Sequence, residues 1–250
     1  ELASVVSAKG GSPHGPYMIA LGMADLFARH EPGTEPVEMG LRLARRVLYG
    51  HVNLNMRWPD LRENDLVEFI TPEGAPFADS EGRVIADPGH SLEAVGLFLK
   101  FSGTVQAAGN ATAEQAGELA HMEKLMPAIL IQAFANGFRA DAGGITKSID
   151  LRNRASIDGT MPWWSLPETI RAGIEAALLP LSERERMECL AVVAKCHNAF
   201  VKHYVRPDVH LMAVKLREAN GRVSDIVPAY PDADPGYHTA LSLMDAVALL

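Results

Sequence analysis

The alternation of helical stretches with short and long connectors constrains the fold of this chain more than any other feature. Apolar residues recur at three- and four-residue steps, which predicts helices, in the stretches 18–27, 36–52, 88–101, 112–134, 164–179, 182–204 and 238–250. Some connectors are short, but others contain strand-like pieces at 66–71, 84–86, 144–150, 211–216 and 223–227. A ring of antiparallel helix pairs has this alternation when one rim is plain and the other carries long loops with hairpins.

Three helix starts have local sequence signatures. Pro88 suits the first turn of a helix, where its missing N–H leaves no hydrogen bond unmade. Thr112 with Gln115 and Ser182 with Glu185 have the spacing of a capping box. These signatures predict where helices begin, independently of the apolar periodicity.

Length and composition exclude several classes of protein. The 250 residues are 48% hydrophobic and contain no low-complexity linker, so we expect a single domain over 1–250. The formal net charge of −8 argues against nucleic-acid binding, because phosphate contact requires a basic surface. The longest apolar run is too short to span a bilayer, so we expect no membrane association. No charged-then-apolar signal peptide opens the chain.

The chain has 2 cysteines, Cys189 and Cys196, in one predicted helix. Seven residues of helix place them ~10 Å apart, which is too far for a disulfide. We expect buried free thiols in a reducing compartment, and therefore a cytoplasmic protein.

A histidine and a glutamate stand three residues apart in Asp-Pro-Gly-His-Ser-Leu-Glu at 87–93. Residues at this spacing share a helix face, so Glu93 either lies beside the imidazole of His90 or faces the same ligand. A neutral imidazole suits proton abstraction near pH 7. The structural alternative is a buried histidine with a glutamate that stabilises the helix N terminus.

Two further motifs lie at predicted helix starts. Trp163 and Trp164 precede Glu168 in a chain that is only 6% aromatic. Indole faces stack on sugars and a carboxylate binds hydroxyls, although tryptophans more often anchor a core. His238 ends the sequence Asp-Pro-Gly-Tyr-His at 234–238, and its alternative is a capping or surface histidine.

Taken together, these motifs resemble the N-acylglucosamine 2-epimerase family. The sequences Pro-Gly-His-Ser-Leu-Glu-Ala at 88–94, Trp-Trp-Ser-Leu-Pro-Glu at 163–168 and Tyr-His-Thr-Ala-Leu at 237–241 have the family's order and similar separations. The resemblance also covers 44–46, 141–144 and 206–208, and so spans nearly the whole chain.

The resemblance implies an all-α fold, the (α/α)6 toroid or six-hairpin barrel, with the site in its mouth. About seven helices are too few for a closed toroid, so we expect its C-terminal part, with short β-hairpins at the site rim. An incomplete ring leaves apolar faces open at its ends. Either further helices or a second subunit would cover them, and we expect a homodimer.

By the same resemblance, His90 and His238 are the two catalytic acid/base residues. Residues that orient them or contact the substrate would be Glu93, Glu168, Trp163, Trp164 and His14. The family implies no metal and no other cofactor, and the expected small-molecule partner is a sugar.

The chain departs from the family in several places. The family usually continues the last histidine motif with a proline and an arginine, where this chain has Ala240 and Leu241. Glu93 is followed by Ala94-Val95-Gly96 in place of the family's Gly-Trp, and the stretch after 208 lacks the usual aromatics. The departures leave the acid/base pair in place but weaken the case for the usual substrate.

The predicted function is a sugar 2-epimerase that interconverts N-acylglucosamine and N-acylmannosamine or related aldoses by histidine acid/base proton transfer at C2. An aldose–ketose isomerase of the mannose type, or a catalytically impaired sugar-binding homologue, is the alternative on the same fold. Two other classes stay open at this point. His90, Glu93 and His238 have the composition of a two-histidine, one-carboxylate metal site, and two glutamates suit glycoside hydrolysis.

Overall fold

The computed structural model describes residues 11–31, 33–205, 216–224 and 237–250. Its helices are α1 (Gly15–His30), α2 (Glu35–His51), α3 (Pro88–Ala108), α4 (Ala113–Glu123), α5 (Met126–Gly137), α6 (Ser165–Ala177), α7 (Glu183–His203) and α8 (Ser242–Ala248). A 3-10 turn covers Leu54–Met56, and a π-helical turn, Tyr237–Leu241, leads into α8.

Short antiparallel strands accompany the helices. They are β1 (Ser12–Pro13), β2 (Phe69–Ile70), β3 (Ile85–Ala86), β4 (Phe138–Arg139), β5 (Gly144–Ile145), β6 (Ser148–Asp150), β7 (Ser156–Asp158), β8 (Met161–Pro162) and β9 (Leu216–Arg217). β1 pairs with β2, β6 lies between β3 and β7, β4 pairs with β5, and β8 pairs with β9.

The helices form two layers. α3 packs between α1 and α6, and α6 also packs against α8, which gives an inner row of α1, α3, α6 and α8. α2 packs on α1, α5 on α3 and α7 on α6, which gives an outer row. Every described strand lies before α1 or in a connector that leads from an outer helix to the next inner one. The strands and long loops therefore lie at the rim where the inner helices begin, as the loop alternation predicted.

The local signatures predicted helix starts correctly. Asp87 caps α3, which begins at Pro88, and its side chain accepts a hydrogen bond from the His90 backbone N–H. The two capping boxes, at Thr112 before α4 and at Ser182 before α7, are both formed.

One predicted helix is wrong. The stretch 112–134 is not continuous but consists of α4 and α5, with a break between Glu123 and Met126. Pro127 lies in the first turn of α5 and has no N–H to donate to the carbonyl of Glu123, so a continuous helix would lose that hydrogen bond. The apolar periodicity of the sequence continues across this break, so periodicity alone predicted one continuous helix.

The predicted strand pieces are present where they can be assessed. The stretches 66–71, 84–86 and 144–150 contain β2, β3, β5 and β6. The pieces at 211–216 and 223–227 lie largely outside the described residues, apart from β9 and a bridge between Arg217 and Val223. The segment 206–208, which contributed to the family resemblance, and 234–236, which begin the His238 motif, also lie outside them.

The main hydrophobic core runs between the layers from α1 to α8. α1 is apolar on two sides, because Met18 and Leu21 are buried whereas Ile19, Met23 and Leu26 are 55–58% exposed.

Cys189 and Cys196 are buried free thiols, as expected. Within the described ranges, no helix combines the length and apolar character needed to cross a bilayer.

Candidate active site

The inner helices bring four aromatic rings together at the rim that carries the strands. His14 precedes α1, His90 lies in the first turn of α3, Trp164 precedes α6, and His238 lies in the turn before α8. Ring centroids are 6.0 Å apart for His14 and His90, and 5.5 Å apart for His90 and Trp164 and for Trp164 and His238. The indole of Trp164 thus contacts both predicted catalytic imidazoles.

A glycine at the start of α3 permits this packing. A Cβ at Gly89 would lie 2.8 Å from Cη2 of the Trp164 indole, closer than van der Waals contact allows. Without a side chain at Gly89, the indole reaches the first turn of α3 and stacks on His90 with an interplanar angle of 26°. The motif at 87–93 therefore needs its glycine as well as its histidine.

The first cluster, which we name the His90 group, contains His14, Glu68 and His90 with Asp87 and Lys147. Glu68 lies between two imidazoles: its Oε2 is 3.2 Å from Nε2 of His14, and both its oxygens are 3.4 Å from Nδ1 of His90. Asp87 Oδ2 is 3.4 Å from the same Nδ1 and accepts a hydrogen bond from Lys147 Nζ at 2.5 Å. One imidazole therefore faces two carboxylates.

These carboxylates determine the protonation of His90. Burial alone would lower its pKa, but the charges of Asp87 and Glu68 outweigh burial and raise it to about 9. Burial alone would raise the pKa of Glu68, but the charges of His14 and His90 and their hydrogen bonds lower it well below its usual range. At neutral pH His90 is therefore an imidazolium beside an ionised Glu68.

A further histidine, His51, closes the inner side of the His90 group. Its ring lies edge-on to His14 with centroids 5.5 Å apart, and its Nδ1 lies 3.0 Å from the carbonyl oxygen of Val67. Burial, and next the charge of His14, lower its pKa to about 4, so His51 is neutral at physiological pH. It supports the group without adding charge.

The second cluster, the His238 group, contains Glu93, Glu168 and His238 with Arg171 and Ser242. Glu168 Oε1 is 3.0 Å from Nδ1 of His238 and accepts a hydrogen bond from Ser242 Oγ at 2.8 Å. Arg171 donates to the other oxygen of Glu168. Glu93 Oε1 lies 3.9 Å from the same imidazole nitrogen.

One carboxylate of the His238 group has a strongly shifted pKa. Burial, and then the charge of Glu168, raise the pKa of Glu93 to about 7, against the opposing charges of His238, His90 and Arg171. Glu168 is fully buried but is paired with a guanidinium, an imidazole and a hydroxyl. With this pKa, Glu93 gains or loses a proton near neutral pH.

The structure places the predicted site residues in a different grouping from the one the sequence suggested. Glu93 belongs with His238, and the carboxylates beside His90 are Glu68 and Asp87. The metal set of His90, Glu93 and His238 is thus divided between the two groups. Glu93 and Glu168 lie side by side in one group, whereas glycoside hydrolysis places its two carboxylates on either side of the scissile bond.

Two other predicted site residues are enclosed by protein. His14 is fully buried and lies against Glu68. Trp163 is 6% exposed and belongs to the main core, whereas Trp164 is partly exposed and packs between the histidines. Of the tryptophan pair, one residue faces the site and one anchors it.

The sequence analysis missed several residues of the two groups and their surroundings: His51, Glu68, Asp87, Lys147, Arg171 and Ser242. Asp87 opens the motif at 87–93, and Arg171 follows Glu168 by three positions on α6, so both had a local signal. Glu68 was visible only as an acidic residue inside a strand-like piece. Lys147 lies between β5 and β6 and reaches Asp87 from another connector, so no local pattern points to it.

Comparison with solved structures identifies the fold. A sugar epimerase from a ruminal bacterium matches with a TM-score of 0.71 and 14% identity, over 96% of this chain and 54% of that one. A D-mannose isomerase matches with a TM-score of 0.69 and 12% identity, over 97% and 57%. The cellobiose 2-epimerase from Bacillus thermoamylovorans matches with a TM-score of 0.65 and 15% identity, over 94% and 52%. The chain spans little more than half of each structure, which confirms a partial (α/α)6 toroid.

A sequence search against characterised proteins finds no significant match. The family model for N-acylglucosamine 2-epimerase (GlcNAc 2-epimerase), by contrast, matches residues 46–240, which include both proposed catalytic histidines, the tryptophan pair and Glu168. Because the family model matches most of this chain and the fold matches over nearly all of it, this chain belongs to the N-acylglucosamine 2-epimerase family.

Proposed function

We propose that this site moves a proton at C2 of an open-chain aldose and so acts as a sugar 2-epimerase, on N-acylglucosamine and N-acylmannosamine or on related aldoses. The observation that carries the proposal is the pair of imidazoles, each 5.5 Å from the indole of Trp164 and each bound to its own carboxylates. Inversion at C2 requires one group to remove a proton and another to return one on the opposite face, and two separately held imidazoles can divide these tasks.

His238 is the base in one direction of the reaction. When its Nδ1–H donates to Glu168, the basic lone pair is on Nε2. Glu168 is fully buried and acts through the imidazole, which makes it a positioning residue. Arg171 and Ser242 donate hydrogen bonds to this carboxylate and hold it in place.

His90 is the acid in the same direction. With a pKa of about 9 it carries a proton on both nitrogens at neutral pH, so its Nε2–H can be delivered to carbon while Nδ1 stays bonded to Glu68. In the reverse direction the two imidazoles exchange tasks. His14 and Asp87 fix the carboxylate environment of His90 and are positioning residues.

The reaction proceeds in balanced steps. The ring opens to the aldehyde, which acidifies the proton at C2, and one imidazole removes that proton to give an enolate, which is an enediolate when C2 carries a hydroxyl. The other imidazole delivers a proton to the opposite face of C2, which inverts the carbon and leaves each histidine in the other's protonation state. Each acid/base residue contributes on the order of 10²–10⁴ in rate.

An aldose–ketose isomerase is the second candidate. The same enediolate gives a ketose if the proton returns to C1, and one similar structure is a D-mannose isomerase. A homologue that binds sugar without turnover is the third, because the family's arginine after the last histidine is missing from this chain.

Proton NMR in D2O with N-acetylmannosamine, N-acetylglucosamine, mannose and glucose tests the proposal. We expect deuterium at C2 of at least one of these sugars, with its C2 epimer as product. A ketose product would favour the isomerase. The absence of exchange with all four sugars would contradict acid/base chemistry at C2 for this chain.

A second copy of this chain is the protein partner we propose. Ile19, Met23 and Leu26 form an exposed apolar strip on α1, and burial of such a strip favours association. Light scattering should give the mass of a dimer, and Leu26→Glu should shift it towards the monomer. A monomer of 27.0 kDa at high concentration would contradict the proposal. The two free cysteines suit a reducing compartment such as the cytoplasm.

A further inference from the structure

The distances from the Glu68 carboxylate to the imidazoles of His14 and His90 are longer than those of close charged hydrogen bonds. A hydrogen bond between an imidazolium and a carboxylate is about 2.7–2.9 Å long, and the His238–Glu168 contact, at 3.0 Å, is close to that range. The Glu68 carboxylate lies farther from its two imidazoles, at 3.2 Å from His14 and 3.4 Å from His90. The carboxylate thus makes a hydrogen bond to each imidazole that is longer than a close charged hydrogen bond.

These separations match the edges of a metal coordination sphere. Ligands that bind zinc tetrahedrally at 2.0–2.2 Å lie about 3.3–3.5 Å from one another. Nε2 of His14, a carboxylate oxygen of Glu68 and Nδ1 of His90 all lie within 4.8 Å of one another. Two imidazoles and one carboxylate are also the ligand set of many zinc sites that keep a fourth position open.

Burial gives this cluster the form of a site with one open side. His14 is fully buried and the Glu68 side chain is 9% exposed, whereas the His90 side chain is 29% exposed. We call the solvent-facing side of the rim beside His90 the cleft. A cation would therefore be held from within and would present its remaining positions towards the cleft. His51 stands behind His14 and excludes water from the inner side.

The His238 group has similar residues but is already satisfied. Glu93, Glu168 and His238 also lie within 4.8 Å of one another. Glu168, however, uses its oxygens on Arg171, Ser242 and His238. A cation there would have to displace a buried guanidinium, which the His90 group does not require.

We propose that His14, Glu68 and His90 form a binding site for a first-row divalent transition metal of the Zn²⁺ type, with at least one coordination position open to the cleft. The ligand set alone carries this proposal, which does not depend on the sugar reaction. The metal and the proton on Nδ1 of His90 exclude each other, so the site has two alternative states.

Titration of the metal-free protein with Co²⁺, followed by visible absorption, tests the proposal independently of activity. We expect one Co²⁺ per chain with the intense absorption of four- or five-coordinate cobalt, and its loss when Zn²⁺ is added. His14→Gln and His90→Gln should each weaken binding at least about 100-fold, because loss of an outer-shell partner alone costs about 10–100-fold.

Two controls locate the site. His238→Gln should keep the Co²⁺ spectrum, because that imidazole belongs to the other cluster, and His121→Gln should keep it because His121 is exposed on α4. His14 is fully buried, so if His14→Gln does not fold, His90→Gln decides the question. A spectrum of hexa-aqua cobalt at excess metal, or equal affinity in the wild type and His90→Gln, would overturn the proposal.

Discussion

In the His90 group the carboxylate of Glu68 lies between two imidazoles and Asp87 adds a second carboxylate, whereas the His238 group has two carboxylates beside one imidazole. In the first, Asp87 and Glu68 raise the pKa of His90 to about 9. In the second, burial and Glu168 raise the pKa of Glu93 to about 7. The proton that titrates thus lies on the imidazole of His90 in the first group and on the carboxyl of Glu93 in the second. The two groups differ in the ratio of carboxylates to imidazoles, and the cation is Lys147 in the first and Arg171 in the second.

The largest expected effect is on the epimerisation rate, and it tests whether the imidazoles of His90 and His238 have different tasks. His90→Gln and His238→Gln should each lower the epimerisation rate by about 10²–10⁴, because each removes one proton carrier. Each variant should keep some deuterium exchange at C2 of the one epimer whose proton the remaining imidazole removes. NMR in D2O with each epimer in turn measures both quantities.

The control for this pair is His121→Gln, which changes an exposed histidine on α4 and should leave both rates unchanged. Normal epimerisation by either site variant would show that one imidazole suffices, and the division of tasks between the groups would be wrong.

The next effect is on the free energy of unfolding and tests how strongly the His238 group depends on Arg171 and the His90 group on Lys147. Arg171→Met should destabilise the fold by about 3–5 kcal/mol, because it leaves Glu168 buried without its guanidinium. Lys147→Met should cost only about 1 kcal/mol, because the Lys147 side chain is 27% exposed and Asp87, although buried, keeps the backbone N–H and the imidazole of His90 as partners. Urea unfolding measures both.

Arg184→Met, at a side chain that is 86% exposed, is the matched control and should cost almost nothing. Equal losses for Arg171→Met and Lys147→Met would show that the two groups are equally enclosed, against the burial seen in the structure.

A smaller effect appears in the pH dependence of stability. The folded pKa of Glu93, about 7, lies above its ordinary value of 4.5, so the folded state holds the proton more tightly and stability falls as pH rises from 4.5 through 7. Glu93→Gln cannot ionise and should remove that fall, which makes the variant more stable than the wild type by about 1–3 kcal/mol at pH 8. Urea unfolding at pH 5 and pH 8 measures it.

Exposed Glu73 provides the control, since Glu73→Gln should leave the pH profile unchanged. His90 makes its own contribution: its raised pKa stabilises the fold below pH 6.5, and this stability is lost as pH rises to about 9. The buried carboxyl of Glu175, whose pKa is also raised, to about 8, keeps its own contribution in the variant, so the two proteins are compared by their difference. If the wild type and Glu93→Gln lost the same stability between pH 4.5 and 7, Glu93 would not be the titrating group.

The smallest effect concerns the indole that the groups share. Trp164→Phe keeps an aromatic ring but loses contact area, so kcat/KM should fall about 2- to 12-fold, which corresponds to about 0.5–1.5 kcal/mol. Steady-state kinetics measures it. The control is Trp58→Phe, because Trp58 packs against a small separate hydrophobic cluster that contains Leu61 and Val84 and none of the aromatic rings of the site. A loss above 100-fold would mean that the indole positions the imidazoles and does not merely separate them.

The sequence predicted the features that depend on neighbouring residues. Asp87, Pro88 and the two capping boxes mark helix starts through contacts made within one turn. The family motifs then placed His90 and His238 at one rim. Such local signals do not depend on how distant segments pack.

The partners of the proposed catalytic residues were not predictable in the same way. Residues three apart on a helix lie about 60° apart around its axis, and α3 lies between α1 and α6. His90 therefore turns towards Glu68 and Glu93 towards His238, although the sequence spacing suggested that they face each other. Glu68 and Lys147 reach the site from separate connectors, which periodicity cannot describe.

The convergence of inner helix starts at one rim has an electrostatic consequence of its own. α1, α3 and α6 each direct the positive end of their backbone dipole towards the cleft. The resulting potential favours a bound molecule that becomes more negative, as an aldose does when its carbon acid ionises. In the proposed reaction, the orientation of three helices would thus increase the acidity of the substrate, and side-chain substitutions at the rim would leave this contribution intact.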